Sequence, residues 1–222
     1  MTEPMNPNTF RAMRALVKSI LQFPQGREWT VQGFGMLRTY PDIGDAEKRY
    51  RLNVWDDRLQ VPRVSAIHDH PWDFVSYVIS GEIWNMRYSE HALPYHQSTG
   101  SWGDAGREEH SSASAYNWML LRTGVEGGAN KHPLIYGTSL YCRPIERYRT
   151  GDVYTQASHE IHSSCPLQGS VSLNERTRVG TGDRARVFWP AGEEWVDAKP
   201  RVATEAEVIE ATQLALTRWT HD

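Results

Sequence analysis

Cysteine is scarce in this chain, since only Cys142 and Cys165 occur among its 222 residues. They allow at most one internal disulfide, which is too few for a disulfide-stapled secreted domain. We therefore expect a reducing compartment and a cytoplasmic protein. Neither cysteine lies in a recognisable Cys/His catalytic arrangement, so both are predicted to be buried small apolar side chains rather than nucleophiles.

Long apolar runs are also missing, because no segment approaches the ~20 uninterrupted apolar residues of a membrane-spanning helix. The first apolar stretch, 10–23, is interrupted by Arg11, Arg14 and Lys18 and lacks the apolar core of a signal peptide. Neither sign of charge dominates: 24 Lys and Arg stand against 27 Asp and Glu, a net charge of -3. Nucleic acid and membranes are therefore not expected partners.

Aromatic residues are abundant, with 9 Trp and 10 Tyr, and they suit a binding cavity as well as a core. The content of 39% apolar and 23% charged residues is that of a soluble globular protein. A compact chain of this size buries roughly 70% of its unfolded surface. No repeat or linker is evident, so residues 1–222 are assigned to a single domain.

Helical periodicity is confined to the two ends of the chain. Apolar residues three and four apart predict an amphipathic helix over about 9–21, which Pro24 and Gly26 terminate. Thr204 and Glu207 form a capping-box pattern that predicts a second helix over about 204–219.

Between the helices the pattern is that of β-strands separated by turn residues. Short runs rich in β-branched and aromatic residues predict a sandwich or barrel. The runs are Arg63–Ile67, Phe74–Ile79, Glu82–Tyr88, Asn117–Arg122, Ser139–Arg143, Gly151–Gln156, Val171–Arg178 and Ala185–Trp189. The stretch 91–133 has no clear period and is predicted to consist of long loops around one strand, either binding loops or partly disordered segments.

Two tight histidine clusters are the chemical signal of the sequence. In a strand, residues two apart such as His68 and His70 point to one face and can grip one ion. The second cluster contains His159 and His162 and could supply a further ligand. Imidazole is the commonest metal-binding side chain, so these residues predict a metal site with open coordination positions.

The residues around the first cluster resemble the first motif of the cupin superfamily, G-x5-H-x-H-x3,4-E-x6-G, with His68, His70 and Gly81 on pattern. The run from Gly151 resembles the second motif, G-x5-P-x-G-x2-H-x3-N, and places His162 on the motif histidine.

This resemblance covers roughly residues 61–190. It implies a mainly β fold in which a cupin-type β-barrel or jelly roll, a double-stranded β-helix over about 50–195, carries an N-terminal and a C-terminal α-helix.

The chain also departs from both motifs. Phe74 occupies the motif glutamate position and cannot ligate a metal. The other replaced positions hold Pro62, Ala157, His159 and Pro166.

The resemblance therefore implies a three-histidine metal face of His68, His70 and His162, similar to the iron centres of cysteine-dioxygenase-like cupins. Asp73, next to the vacant position, is a candidate fourth ligand or a group that orients an imidazole. His159 is either a further ligand or a loop histidine beside the site.

Five further residues are predicted to line a substrate pocket if the strands alternate as expected. Tyr77, Trp84 and Trp189 are candidate walls, with a core position as the alternative for each. Arg87 and Arg143 are candidates to bind a substrate carboxylate, with an exposed surface position as the alternative. No phosphate-binding glycine loop or other cofactor motif is present.

The main hypothesis is a metal-dependent enzyme, an Fe(II) dioxygenase that acts on a small organic acid or thiol. One alternative keeps the site but uses Zn or Mn for isomerase, lyase or hydrolase chemistry, and Ni is a further candidate metal. Another alternative is a non-catalytic small-molecule-binding cupin, motivated by the vacant glutamate position. A homodimer is expected, because two helices and many aromatic residues offer more apolar surface than one small barrel buries.

Overall fold

The computed structural model describes residues 6–44, 47–92, 95–96, 101–102, 114–122, 135–177 and 184–219. Two helices flank sixteen strands in the described chain: α1 (Pro7–Gln22), β1 (Thr30–Gln32), β2 (Phe34–Thr39), β3 (Lys48–Gln60), β4 (Ile67–His68), β5 (Phe74–Ser80), β6 (Glu82–Ala92), β7 (Tyr95–His96), β8 (Ser101–Trp102), β9 (Ser114–Arg122), β10 (Tyr136–Cys142), β11 (Glu146–Arg149), β12 (Val153–Gln156), β13 (His162–Pro166), β14 (Val171–Thr177), β15 (Arg184–Pro190), β16 (Arg201–Val202) and α2 (Glu205–Trp219).

Both predicted helices are confirmed, and side chains cap their first turns. The Asn6 side chain accepts a hydrogen bond from the backbone N–H of Asn8 at 2.9 Å, with proline in the first turn of α1. At α2, Thr204 Oγ1 accepts from the N–H of Glu207, whose carboxylate accepts from the N–H of Thr204 at 2.8 Å. This reciprocal pair is the capping box that the sequence predicts.

The strands form two sheets with the order of a jelly roll. The first sheet is β12-β5-β14-β3-β2-β1-β16 and the second is β10-β9-β15-β4-β13-β6-β11. From β3 to β14 the chain passes repeatedly between the two sheets. Four of these strands form the set β12-β5-β14-β3 in the first sheet, and four form the set β4-β13-β6-β11 in the second. Double-sheet jelly rolls of this kind include the cupins, so the predicted fold class is confirmed.

The helices cover the outer face of the first sheet. Val17 and Leu21 of α1 and Ala211 of α2 pack with Leu52 and Leu173 of the sheet in the largest buried cluster. Because side chains alternate along a strand, the neighbouring residues of β3 and β14 face the interior of the jelly roll.

The second sheet also closes on itself. β10 pairs with β9 and with β6, so β6, β10, β9, β15, β4 and β13 form a ring of paired strands. A buried cluster of Leu140, Ile161 and Phe188 packs against Ile67. Ile67 and Phe188 are paired neighbours of the His68–Val187 pair, so this cluster lies on the face of the sheet away from His68.

Three sequence predictions need correction. Within Arg63–Ile67 only Ile67 lies in a strand, and Arg63 lies in a turn, with a left-handed φ of 66° and a hydrogen bond from the N–H of Val64 to the carbonyl of Val61. Cys142 and Cys165 are free but exposed rather than buried. The stretch 91–133 contains more than the one predicted strand, because the end of β6, the short strands β7 and β8, and β9 all lie in its described part. The predicted loops at 93–94, 97–100, 103–113 and 123–133 lie outside the described residues.

Among the described residues, neither helix is long and apolar enough to cross a membrane. The single-domain assignment stays a prediction.

Gly81, which matches the last position of the first motif, is predicted to be essential for the turn between β5 and β6. Its φ is +83°, and a Cβ there would lie 3.0 Å from Ser170 Cα and collide with the Ser170 hydroxyl. Gly26 is the matched control, with φ +75° and no atom within 4 Å of the position that a Cβ would occupy.

We expect Gly26→Ala to cost only the left-handed strain, about 1–2 kcal/mol. Gly81→Ala should cost about 1–3 kcal/mol more, because the added methyl also overpacks the turn. Urea unfolding of both variants measures the difference, and equal losses would contradict the role of the Ser170 contact.

Candidate metal centre

The three motif histidines meet on one face of the second sheet. His68 on β4 pairs across the ladder with His162 on β13. His70 follows two residues after His68, and its ring centroid lies 4.6 Å from that of His68 and 5.3 Å from that of His162. One nitrogen from each ring lies within 4.8 Å of the other two, a spacing at which all three can hold one ion.

The tautomer of His68 is fixed by the backbone. Its Nδ1 lies 2.8 Å from the carbonyl oxygen of Ala66, which can only accept, so Nδ1 carries the proton. The lone pair of Nε2 is therefore directed into the site, where it lies 3.2 Å from Nε2 of His70.

His162 leaves a nitrogen without a partner. Its Nδ1 lies 3.4 Å from Oδ1 of Asn85, whereas its Nε2 is buried and has no hydrogen-bond partner among the described residues. Buried polar atoms are nearly always paired, and a metal ion would satisfy this one. The donor set of three imidazoles also suits a divalent transition metal, so the residues present fit the ion that the motifs imply.

Burial keeps the three imidazoles neutral. Desolvation is the largest cause that lowers the pKa of His68, and it holds the pKa values of His70 and His162 well below their ordinary value. The positive charge of Arg51 lowers all three further. Neutral imidazole is the form that coordinates a metal, so burial favours the protonation state in which the three histidines can bind one.

Aromatic rings surround the histidines. Phe34 stacks on His68 at 5.8 Å between centroids, and Trp72 stacks on His70 at 5.3 Å. Phe74, at the motif glutamate position, meets His70 edge-on at 5.3 Å. An apolar ring therefore takes the place of a fourth ligand and excludes water from that side.

Asp69 anchors the segment between His68 and His70. Its side chain is fully buried and accepts from the backbone N–H of Arg186 at 2.7 Å and from Nε of Arg186 at 2.6 Å. The Arg186 guanidinium also pairs with Glu90 at 2.5 Å. These charge-assisted bonds fix the histidine segment against β15.

Asp73 and His159 are placed around the turn that precedes β13. The N–H of His159 bonds to the carbonyl of His70 at 2.6 Å, and Asp73 accepts from the N–H of Ser158 at 2.6 Å. His159 has a left-handed φ of 59°, the conformation that the motif glycine would adopt without strain. Its Nδ1 lies 3.8 Å from Asp69 Oδ2.

The described ligand cluster contains neither Asp73 nor His159. Their contacts position the turn, and a ligand role for either stays a prediction.

The two predicted arginines lie beside Glu160. Arg87 pairs with Glu160 at 2.5 Å and with Glu146 at 2.9 Å, while the exposed Arg143 lies 3.5 Å from Glu160. Both guanidinium groups thus have carboxylate partners within the protein.

The three predicted aromatic walls do not join the histidines. Tyr77 faces the helix-covered side of β5 and donates to Glu175. Trp84 is 39% exposed and donates to Glu82. Trp189 is buried in a separate cluster, where it stacks on Trp195 at 5.5 Å. The positions of Tyr77 and Trp84 follow from the alternation of side chains along a strand. Phe74 faces the histidines from β5 and Asn85 from β6, so Tyr77 and Trp84 lie on the other faces of these strands.

Sequence reasoning missed a second set of polar residues, on the interior-facing side of the first sheet, of which Asn53 is buried, Arg51 partly buried and Arg49 exposed. Arg49, Arg51 and Asn53 alternate along β3 with residues of the helix-covered core. This alternation was the available signal: a strand with one apolar and one basic face can carry its basic face inward when a ligand is bound there. Arg176 on β14 is paired directly with Arg49.

Two cavities are lined by residues that contact the histidines, although none of the three histidines lines either cavity. One of about 170 Å³ is bounded by Phe34, Trp55, Ala66 and Ser164, next to His68. A larger one of about 420 Å³ is bounded by Phe74, Gln156 and Arg176, among others. Phe74 thus separates the histidines from the larger cavity.

Neither a protein-family model nor a curated protein sequence matches this chain. Among solved structures, an RmlC-like cupin from Shewanella frigidimarina is 14% identical, with 71% of this chain and 88% of that chain covered and a TM-score of 0.34. Hydroxypropylphosphonic acid epoxidase from S. wedmorenis is 12% identical, with 71% and 58% covered and a TM-score of 0.34. The cobalt(II) form of HppE in complex with substrate is 12% identical, with 71% of this chain and 56% of that chain covered and a TM-score of 0.30. At these scores the fold assignment depends on the strand order described above.

His162 and His159 provide a direct test of the site. We expect His162→Ala to abolish metal binding, because it removes a ligand and its coordinate bond. His159→Ala should weaken binding by no more than about 10–100-fold, the usual effect of a residue that only supports a ligand.

Metal content of the two variants after anaerobic reconstitution with Fe(II) or Zn(II), side by side with the unaltered protein, measures this. Loss of metal from His159→Ala but not from His162→Ala would contradict the placement of the second motif.

Proposed function

We propose that the protein is a mononuclear non-haem metal enzyme, with Fe(II) held by His68, His70 and His162, that oxidises a small organic molecule with O₂. The observation that carries the proposal is the convergence of three imidazoles, of which His70 and His162 are buried and His68 is partly buried. Nε2 of His162 has no partner among the described residues. The finer assignments, to the cysteine-dioxygenase-like type and to an organic acid or thiol as substrate, are parts of this proposal.

A divalent metal bound there would supply a Lewis-acidic, redox-capable centre with coordination positions open to substrate and O₂. The chain's own residues do the rest of the work. Ala66 fixes the tautomer of His68, and Asn85 lies against Nδ1 of His162. Phe34, Trp72 and Phe74 keep water away from the histidines, which strengthens electrostatic interactions within the site.

One observation favours a different chemistry at the same residues. Phe74 in place of a carboxylate leaves three neutral ligands and the full charge of the metal, which also suits Zn or Mn in an isomerase, lyase or hydrolase. The ligand set does not select the metal, because affinity follows the Irving–Williams order for any such site. Ni is a further candidate on the same ground.

The remaining sequence expectations stay predictions. They are the cytoplasmic location, the homodimer, the small-molecule substrate, and nucleic acid and membranes as excluded partners.

Oxygen consumption tests the proposal. We expect protein reconstituted with Fe(II) to consume O₂ in the presence of substrate from a panel of small organic acids and thiols, and His162→Ala to consume none. Arg11→Gln, on the exposed face of α1, is the matched control and should behave as the unaltered protein.

Turnover under argon by protein loaded with Zn or Mn would show that the reaction needs no O₂, and it would support Lewis-acid chemistry in place of the proposed oxidation. A His68→Ala protein that retained ligand affinity and thermal stability would instead support a non-catalytic binding protein. Failure of the reconstituted protein to retain any transition metal would overturn the metal centre itself.

A further inference from the structure

Four arginines lie together on the interior side of the first sheet. Arg49 on β3 pairs with Arg176 on β14, and Arg51 follows Arg49 on the same face. Arg38 on β2 pairs with Asn53, which shares that face of β3. Because cross-strand partners point to one side of a sheet, all four side chains project from the same surface.

Aromatic rings lie over three of the four guanidinium groups in this arginine cluster, those of Arg38, Arg49 and Arg176. The Cζ atom of Arg49 lies 4.0 Å from the ring centroid of Tyr40, and that of Arg38 lies 5.7 Å from it. The Cζ atom of Arg176 lies 3.8 Å above the ring of Trp72. Such stacking fixes the planes of the guanidinium groups without using their N–H donors.

Within the described chain, the cluster has no carboxylate to balance it. Among the described residues, none of the four arginines forms an ion pair. Arg38 donates to the Thr30 hydroxyl, and it donates to the Gln32 side-chain oxygen when the O and N of that amide are exchanged; both acceptors are neutral. Nε of Arg51 and Nη1 of Arg176 are buried without any hydrogen-bond partner there. By contrast, other arginines have carboxylate partners: Arg58, Arg63, Arg87, Arg143, Arg147, Arg149, Arg186 and Arg201.

Arg49 is exposed, but the arrangement is unfavourable in the free protein for the three partly buried arginines, Arg38, Arg51 and Arg176. Burial, together with the charges of Arg51 and Arg49, lowers the pKa of Arg38 to about 10, and burial is also the main cause that lowers the pKa values of Arg51 and Arg176. Burial acts to raise the pKa of Tyr40, but the neighbouring arginines outweigh it and lower that pKa. Buried charges and unpaired donors are costly unless a partner of opposite charge neutralises them.

The cluster adjoins the histidines. Trp72 contacts both the Arg176 guanidinium and the His70 ring, whose centroid lies 5.3 Å from its own. Arg51 projects from the first sheet toward the second, and its charge acts on all three histidines. Since packed sheets lie roughly 10 Å apart, a small molecule between them can touch both sets of residues.

We propose that Arg38, Arg49, Arg51 and Arg176 bind a substrate group that carries two or more negative charges on oxygen atoms and hold it beside the histidine triad. As a statement of substrate class, this inference rests on the proposed function. A single carboxylate would neutralise only one of the four charges. A phosphoryl dianion or a set of two or three carboxylates matches the charge and the bidentate donors of arginine.

Anion binding to the metal-free protein tests the inference. Titration calorimetry at low ionic strength would use inorganic phosphate, pyrophosphate, citrate and acetate as probes. We expect citrate, or phosphate and pyrophosphate, to bind at least about tenfold more tightly than acetate, because each of these anions forms additional charge-assisted hydrogen bonds. The phosphate and citrate arms distinguish a phosphoryl group from clustered carboxylates.

The substitutions Arg51→Gln and Arg176→Gln should each weaken this binding by about tenfold or more. Arg11→Gln, which removes the same charge from the exposed face of α1, should leave it unchanged. Without anion, Arg51→Gln should unfold at a higher urea concentration than the unaltered protein, because it removes an unbalanced buried charge. A merely structural arginine would give the opposite shift.

Equal affinity for acetate and the multiply charged anions, or unchanged binding in both arginine variants, would overturn the inference. His162→Ala separates it from the proposed function, because that variant should lose metal and still bind the anion. A protein that binds the anion but no metal keeps the arginine site and loses the enzyme. A protein that oxidises substrate but does not prefer multiply charged anions keeps the proposed enzyme function and loses the arginine site.

Discussion

The ion pair between the buried Asp69 carboxylate and the partly exposed Arg186 guanidinium is the interaction on which the metal centre depends. β4 is only two residues long, and His70 lies beyond its end, so backbone pairing alone does not fix both histidines. Asp69 lies between them and is fully buried, with two hydrogen bonds from Arg186 on β15. Removing one partner of a buried pair costs about 3–5 kcal/mol, so the segment is strongly held.

The interior of the jelly roll has two chemically different sides. The second sheet presents neutral imidazoles enclosed by aromatic rings, whereas the first sheet presents guanidinium groups without carboxylate partners among the described residues. The Trp72 side chain contacts residues of both sides: its ring lies against the Arg176 guanidinium of the first sheet and stacks on the imidazole of His70 in the histidine triad. A metal with open positions and a cationic cradle would therefore orient one ligand from two ends, which limits the poses that it can adopt.

The terminal helices and the histidine triad were predictable, because each has a signal that is local in sequence. The capping box at Thr204 and the spacing of the two cupin-like motifs are of this kind. The alternation along β3 was a signal for one basic strand face, but it did not predict the arginine cluster, because the members are distributed over three strands and a basic strand face is usually solvent-exposed. Tyr77 and Trp84 were misplaced for a related reason: the aromatic character of a strand residue does not reveal which face of the sheet it occupies, and only the pairing register does.

The strand β6 belongs both to the jelly roll and to the closed ring of the second sheet. Asn85, on one of its faces, lies against His162, while Tyr88, on the other, packs with the cluster around Phe188. A shift of one residue in the β6–β10 register would exchange these faces, so the two interiors cannot be rearranged independently. β9 and β10 therefore stabilise the positions of β15 and β6, and through them the histidine site, although neither strand supplies one of the three described histidines.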